Sequence, residues 1–182
     1  MDRFVPPHLD IAALGKALDA ERTRRRLTWV EVGKQLGIPT VRAMVTGSHI
    51  QADGAVLVLQ WLGKRCDEFV VRPGGNPAPW ADRAELQGPP PLFARFDTIK
   101  LHAALDRARR ERGLTWGVVA AELGTMPGVI ARFTKGGRTN AQLMVAAAEW
   151  AGEPVEALLQ PSQPFLGPAR MDARGALRRA RT

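Results

Sequence analysis

Residues 17–37 read ALDAERTRRRLTWVEVGKQLG, and residues 104–124 read ALDRARRERGLTWGVVAAELG. At an offset of 87, Asp19, Arg22, Arg25, Leu27, Thr28, Trp29, Val32, Leu36 and Gly37 recur as Asp106, Arg109, Arg112, Leu114, Thr115, Trp116, Val119, Leu123 and Gly124. Farther along the offset becomes 89, and Gly47, Val56, Trp61 and Gly63 recur as Gly136, Val145, Trp150 and Gly152. Two residues have been inserted in the second copy, or lost from the first, between Gly37 and Val41. A unit of roughly 65 residues present only twice is too long for a solenoid repeat. The chain therefore reads as a duplicated small domain near the lower size limit for independent folding.

Working outward from the repeat, residues 9–25 and 97–112 carry apolar positions at spacings of three and four, such as Leu101, Ala104, Leu105 and Ala108, and are expected to be helices. Asp10 and Asp97 stand where N-caps belong, and Gly113 closes the second of these helices. A second helix is expected to start at Thr28 and Thr115 and to stop at Gly37 and Gly124. Short helices at 40–46 and 128–135, apolar helices at 52–63 and 140–151, and a last turn at 67–71 and 155–159 complete each unit. No run shows convincing strand alternation, so the expected class is all-α.

Residues 72–92, RPGGNPAPWADRAELQGPPPL, are rich in Pro and Gly and read as an interdomain linker. About 20 flexible residues span roughly 25 Å, comparable to the ~34 Å of one DNA turn. Trp80 within this stretch is expected to pack on a neighbouring domain. The expected units are thus 1–71, the linker 72–92, 93–160, and a basic flexible tail at 161–182. The tail is either a solvated terminus or a basic arm that touches phosphates.

The net charge of +8 lies half in residues 161–182, and Arg outnumbers Lys 21 to 5. This balance permits nucleic-acid binding without demanding it, since Arg, Ala, Gly and Pro content also follows genome composition. The single Cys66 excludes an internal disulfide, and the N-terminal MDRFVPPHLD has no apolar signal region. Apolar runs such as 55–59 and 143–148 are too short to span a bilayer. A cytoplasmic protein with no membrane contact is the expectation.

The pattern Leu-Thr-Trp-x-x-Val-(Gly/Ala)-x-x-Leu-Gly, then a short helix ending in Gly, then an apolar helix ending in Trp-x-Gly, strongly resembles the Cro/lambda-repressor-like (XRE-type) helix-turn-helix family. The resemblance covers about residues 8–71 and 94–160. It implies two lambda-repressor-like domains of about five short helices each, and a transcription regulator of bacterial or phage type that binds double-stranded DNA. In such domains the second helix offers its N-terminus to a phosphate, which places Thr28, Trp29, Thr115 and Trp116 at the backbone. Small residues at the sharp contact between second and third helices, here Gly33 and Ala120, let the helices approach.

Carried over position by position, the resemblance places the base-reading segment of copy two on Pro127, Gly128, Val129 and Arg132, of which only Arg132 can make a bidentate contact with guanine. Lys135, Arg138, Thr139 and Asn140 suit phosphate contacts. Copy one offers Thr40, Arg42, Ala43, Thr46, Ser48 and His49, with Ala43 where copy two has Arg132. Copy two is therefore the better expected reader. An indole at positions 29 and 116 can donate to phosphate or pack on the first helix, and packing is favoured. Arg22 and Arg109 match a first-helix Arg that pairs in many members with a Glu. Thr46 and Thr134 occupy that Glu position here, so the Arg is expected to be free for phosphate.

No Cys/His spacing suits zinc and no Gly-rich loop follows a strand, so neither enzyme chemistry nor a metal or other cofactor is expected. His102 reads as a partly exposed helix residue. The leading expectation is a regulator whose two domains form a single-chain pseudo-dimer on DNA. The alternative is a protein-interaction, adaptor or antitoxin-like module that keeps the fold, with copy one presenting Val41, Met44 and Val45 to a partner, to copy two or to a second copy of the chain.

Overall fold

The computed structural model describes residues 4–47, 49–81 and 94–161. Within them the protein is mainly α-helical, and one order of elements occurs twice. Copy one runs β1 (His8–Leu9), α1 (Ile11–Arg24), α2 (Trp29–Leu36), α3 (Val41–Thr46), α4 (Ala52–Leu62), a 3-10 turn at Cys66–Phe69 and β2 (Val70–Val71). Copy two runs β3 (Ala94–Phe96), α5 (Thr98–Glu111), α6 (Trp116–Glu122), α7 (Pro127–Ala131), a 3-10 turn at Arg132–Lys135, α8 (Ala141–Ala151), a 3-10 turn at Val155–Leu158 and β4 (Leu159–Pro161).

To the mainly-α class that the helices bear out, the structure adds four short strands. β1 pairs antiparallel with β2, and β3 with β4, in the same register: Leu9 opposes Val70 as Phe96 opposes Leu159. Strands of two or three residues are too short to display an alternating pattern, so nothing in the sequence announces them.

Helix starts follow the expected caps. The Asp10 carboxylate accepts from the Ala13 amide, and that of Asp97 from the amides of Ile99 and Lys100. Thr28 forms a full capping box with Glu31, whereas the Thr115 hydroxyl accepts from Val118 alone. The two small residues sit in close-packed places: a Cβ on Gly33 would lie 2.9 Å from the Ile38 carbonyl oxygen in the turn before α3, and Ala120 is buried.

The turn after α1 differs between copies in a way that can be measured. Gly113 adopts φ +64°, and the equivalent position in copy one is Arg26 at φ +56°. The left-handed region is costly for a residue with a Cβ. Arg26→Gly is therefore expected to stabilise the protein by about 1 kcal/mol in urea denaturation, against no gain if the turn is unstrained.

The copies pack on each other across one continuous core that includes both central helices, α4 and α8, which are buried over most of their circumference. Their contacts are reciprocal. Gln51 and Asn140, equivalent at offset 89, bridge antiparallel, with the Ala52 amide donating to the Thr139 carbonyl and the Ala141 amide to the Ile50 carbonyl. The Leu9 amide donates to Gln142 Oε1 at 2.8 Å, and its counterpart Phe96 donates to Asp53 Oδ1 at 3.1 Å. Equivalent surfaces meeting each other define an approximate two-fold, as in an isologous dimer.

The expected free linker is also corrected over its first half. Trp80 is 5% exposed, and its indole N–H donates to Asp67 Oδ2 at 2.7 Å. Arg72 stacks over that ring and bonds both Asp67 and Glu149 of α8. Residues 72–81 are thus a strut fastened to both copies. The rest of the linker, 82–92, and the tail beyond Pro161 lie outside the described residues. Among the described residues, no helix is long and apolar enough to cross a membrane.

Candidate nucleic-acid interface

The repeated Arg and Trp residues turn out to build a scaffold, twice. Arg22 donates to the Leu27 carbonyl and to Asp19, with its guanidinium 5.1 Å from the centre of the Trp29 ring. Arg109 does the same with Leu114, Asp106 and Trp116, at 5.0 Å. These arginines are engaged, which corrects the expectation that they are free for phosphate. Arg25 stacks on Trp61 and Arg112 on Trp150, each also donating to that Trp's carbonyl. The indole N–H of Trp61 goes to Gln35, and that of Trp150 to the equivalent Glu122. Planar guanidinium on indole combines cation–π attraction with burial, and so fixes α1 against α2 and α4 (α5 against α6 and α8).

Trp29 and Trp116 are accordingly half-buried packing residues, as the favoured reading had it. His102 stacks on Trp116, ring centres 4.9 Å apart, which gives that helix residue its role. Unlike the other three tryptophans, Trp29 and Trp116 have indole N–H groups with no hydrogen-bond partner among the described residues. Both stand at the first position of their helices.

The two helix starts differ electrostatically. In copy one Glu31 accepts from the Thr28 amide and hydroxyl, and these bonds hold its carboxyl below the usual range. The helix end thus carries its own anion, which opposes a phosphate. Copy two has Val118 at that position, so the Thr115 end of α6 is free of this charge.

In the reading segment of copy two, Pro127, Gly128 and Arg132 are exposed and Val129 is half-buried, while Ile130 and Phe133 anchor the segment in the core. Arg132, Lys135 and Arg138 are exposed and have no ion-pair or hydrogen-bond partner among the described residues. Copy one has exposed Thr40, Arg42, Ala43, Thr46 and His49. Arg42 likewise has no partner there, whereas the Thr46 hydroxyl bonds back to the Arg42 carbonyl. Ser48 lies outside the described residues.

Three expectations need correction. Thr139 is 7% exposed and its carbonyl is taken by Ala52, so it is an interface residue. The Asn140 side chain caps α8 by accepting from the Leu143 amide at 2.8 Å. Val41 and Val45 are buried and Met44 is half-buried against Gly54, so the apolar side of α3 faces inward and offers a partner nothing. The exposed apolar residues near these helices are instead Val30, Val118 and Met126.

Sequence reading missed polar residues that join the copies, among them Gln142, Asp53, Arg72, Gln60 and Glu156, because each looks like a solvated helix or linker position. Among the described residues no group of His, Cys, Asp and Glu could hold a metal ion. Comparison with known proteins finds no matching family model, no matching curated protein and no matching solved structure.

Proposed function

We propose that the chain is a DNA-binding transcription regulator of helix-turn-helix type, its two copies forming a single-chain pseudo-dimer in which copy two is the stronger reader. One observation carries this reading. Except for Arg26 in the turn after α1, the described arginines elsewhere in both copies are tied to carboxylates, carbonyls or indoles, while Arg42, Arg132, Lys135 and Arg138, on or just after the third helix of each copy, are exposed without partners among the described residues. Unpaired cations grouped on one kind of element are the electrostatic footprint of phosphate binding. The two-fold relation of the copies supports two half-sites addressed from one chain, unlike in sequence because the third helices differ.

Selection from a randomised duplex pool is expected to enrich a motif with one dominant half-site. Arg132→Ala should cost about 1–3 kcal/mol at a single base position, and Lys135→Ala should reduce the salt slope by about 1 without changing the motif. Equal, weak binding to every duplex would refute the proposal. That result would favour the adaptor reading, with exposed Val118, Met126 and Pro127 of copy two as the contact face.

A further inference from the structure

The approximate two-fold brings equivalent residues to both sides of the junction between the copies, and on one side they have changed character. In copy one Ile11 and Ile50 are buried there, 8% and 2% exposed. Their counterparts in copy two are Thr98 and Thr139, as deeply buried at 6% and 7%. A hydroxyl in place of an isoleucine side chain is unfavourable in such a position unless something bonds to it. The Thr139 hydroxyl has only a long 3.4 Å contact with the adjacent Asn140 carbonyl. The Thr98 hydroxyl has no partner among the described residues. No unpartnered polar side-chain atom there is sealed from solvent, so the Thr98 oxygen opens into the cleft that it lines.

That cleft has a volume of about 290 Å³ and lies between the start of α4 in copy one and the 95–99 and 136–139 segments of copy two. Gln51 makes no side-chain cap for α4, although its counterpart Asn140 caps α8. Two guanidinium groups stand at the cleft, Arg95 and Arg138, where copy one has His8 and His49. Arg138 has no partner among the described residues, and Arg95 has only a 3.5 Å contact with Asp53. Each carboxylate at the cleft gives one oxygen to backbone: Asp97 Oδ1 holds the Ile99 and Lys100 amides, and Asp53 Oδ1 holds that of Phe96. The groups left to meet an anion are two guanidinium groups and two hydroxyls; the start of α4 is not among them, because the Ala52 amide is given to the Thr139 carbonyl and Asp53 places a carboxylate in the first turn.

We infer that this cleft binds a small free oxyanion, phosphate or a compact molecule bearing a phosphate or carboxylate group. Guanidinium groups recognise such groups through paired N–H bonds, and the two hydroxyls add further donors. The volume lies at the small end of ligand pockets. A hydroxyl nine-tenths buried is within reach of a small molecule rather than of a duplex backbone. The ligand would touch both copies, so its binding stabilises the junction and sets how the two halves are held. The inference does not depend on DNA binding.

The test is thermal unfolding and calorimetry of the full chain with sodium phosphate, at ionic strength held constant with sodium chloride. Saturable binding is expected, with a rise in midpoint of about 3–5 °C at a phosphate concentration tenfold above Kd. Thr98→Ile with Thr139→Ile restores the copy-one residues and should abolish the shift while keeping the fold. Arg138→Ala should weaken phosphate binding at least about tenfold, the loss of one charged contact of ~1.4 kcal/mol or more, with the ligand-free midpoint unchanged. An equal shift in wild type and Arg138→Ala, or stabilisation that never saturates, overturns the inference. So does loss of duplex binding in the double variant with no saturable effect of free phosphate on the wild type.

Discussion

Trp150→Ala is expected to lower the stability of the whole protein by about 3–5 kcal/mol, the range for deleting a large aromatic from a packed core. Trp150 is 1% exposed and among the largest fully buried side chains. Its loss leaves a cavity, removes the ring on which Arg112 stacks at 4.2 Å, and strands the Glu122 carboxylate that its indole N–H bonds at 2.6 Å. The equivalent Trp61 makes the same two contacts, with Arg25 and Gln35, but is only half-buried. Trp61→Ala should therefore cost less, about 1–2 kcal/mol. Urea denaturation followed by far-UV circular dichroism measures both. Because the copies share one core, Trp150→Ala should shift a single cooperative transition. Two separate transitions would contradict the shared core, and equal costs for the two tryptophans would contradict the argument from their burial.

This inequality between equivalent residues bears on what the sequence discloses. Helix limits were legible because caps are local chemistry: Asp10, Asp97, Thr28 and Thr115 bond amides two or three residues away, and Gly113 sits in the left-handed conformation that closes its helix. The meaning of the repeated residues was less legible. Arg22, Arg25, Trp29 and Trp61 recur because each copy uses them in the same internal clamp, and identity between copies reports shared scaffold. Divergence is where the candidate interface and the cleft lie: Ala43 against Arg132, Glu31 against Val118, Ile11 against Thr98, Ile50 against Thr139. All four pairs are visible on aligning the copies, but the significance of the last two depends on a junction that no periodicity reveals. Strand pairs of two or three residues and side chains that bond the other copy's backbone, such as Gln142 to Leu9, are long-range choices with no local signature.

Arg72→Ala is expected to cost about 3–5 kcal/mol, although its place in a Pro/Gly-rich stretch suggests a tolerant site. Arg72 and Glu149 are 11% and 12% exposed, and the guanidinium is shared between Glu149, at 2.9 Å, and Asp67, at 2.7 Å. Removing it leaves the Glu149 carboxylate little solvated and without its cation, and such an orphaned charge is where most of the loss arises. Trp80 completes the unit, since Asp67 also accepts its indole N–H and Arg72 covers its ring. Trp80→Ala should be similarly costly, and the double variant should be less destabilised than the sum, with a coupling of about 0.5–3 kcal/mol. Replacing Glu149 with Gln in the Arg72→Ala background should recover part of the stability by removing the stranded charge. A cost below about 1 kcal/mol for Arg72→Ala would mean that the pair is solvated like an ordinary surface ion pair. In that case residues 72–81 would behave as the flexible connection that their composition suggests, and the halves would be held by the shared core at α4 and α8 and the hydrogen bonds that cross it, such as Leu9 with Gln142 and Phe96 with Asp53.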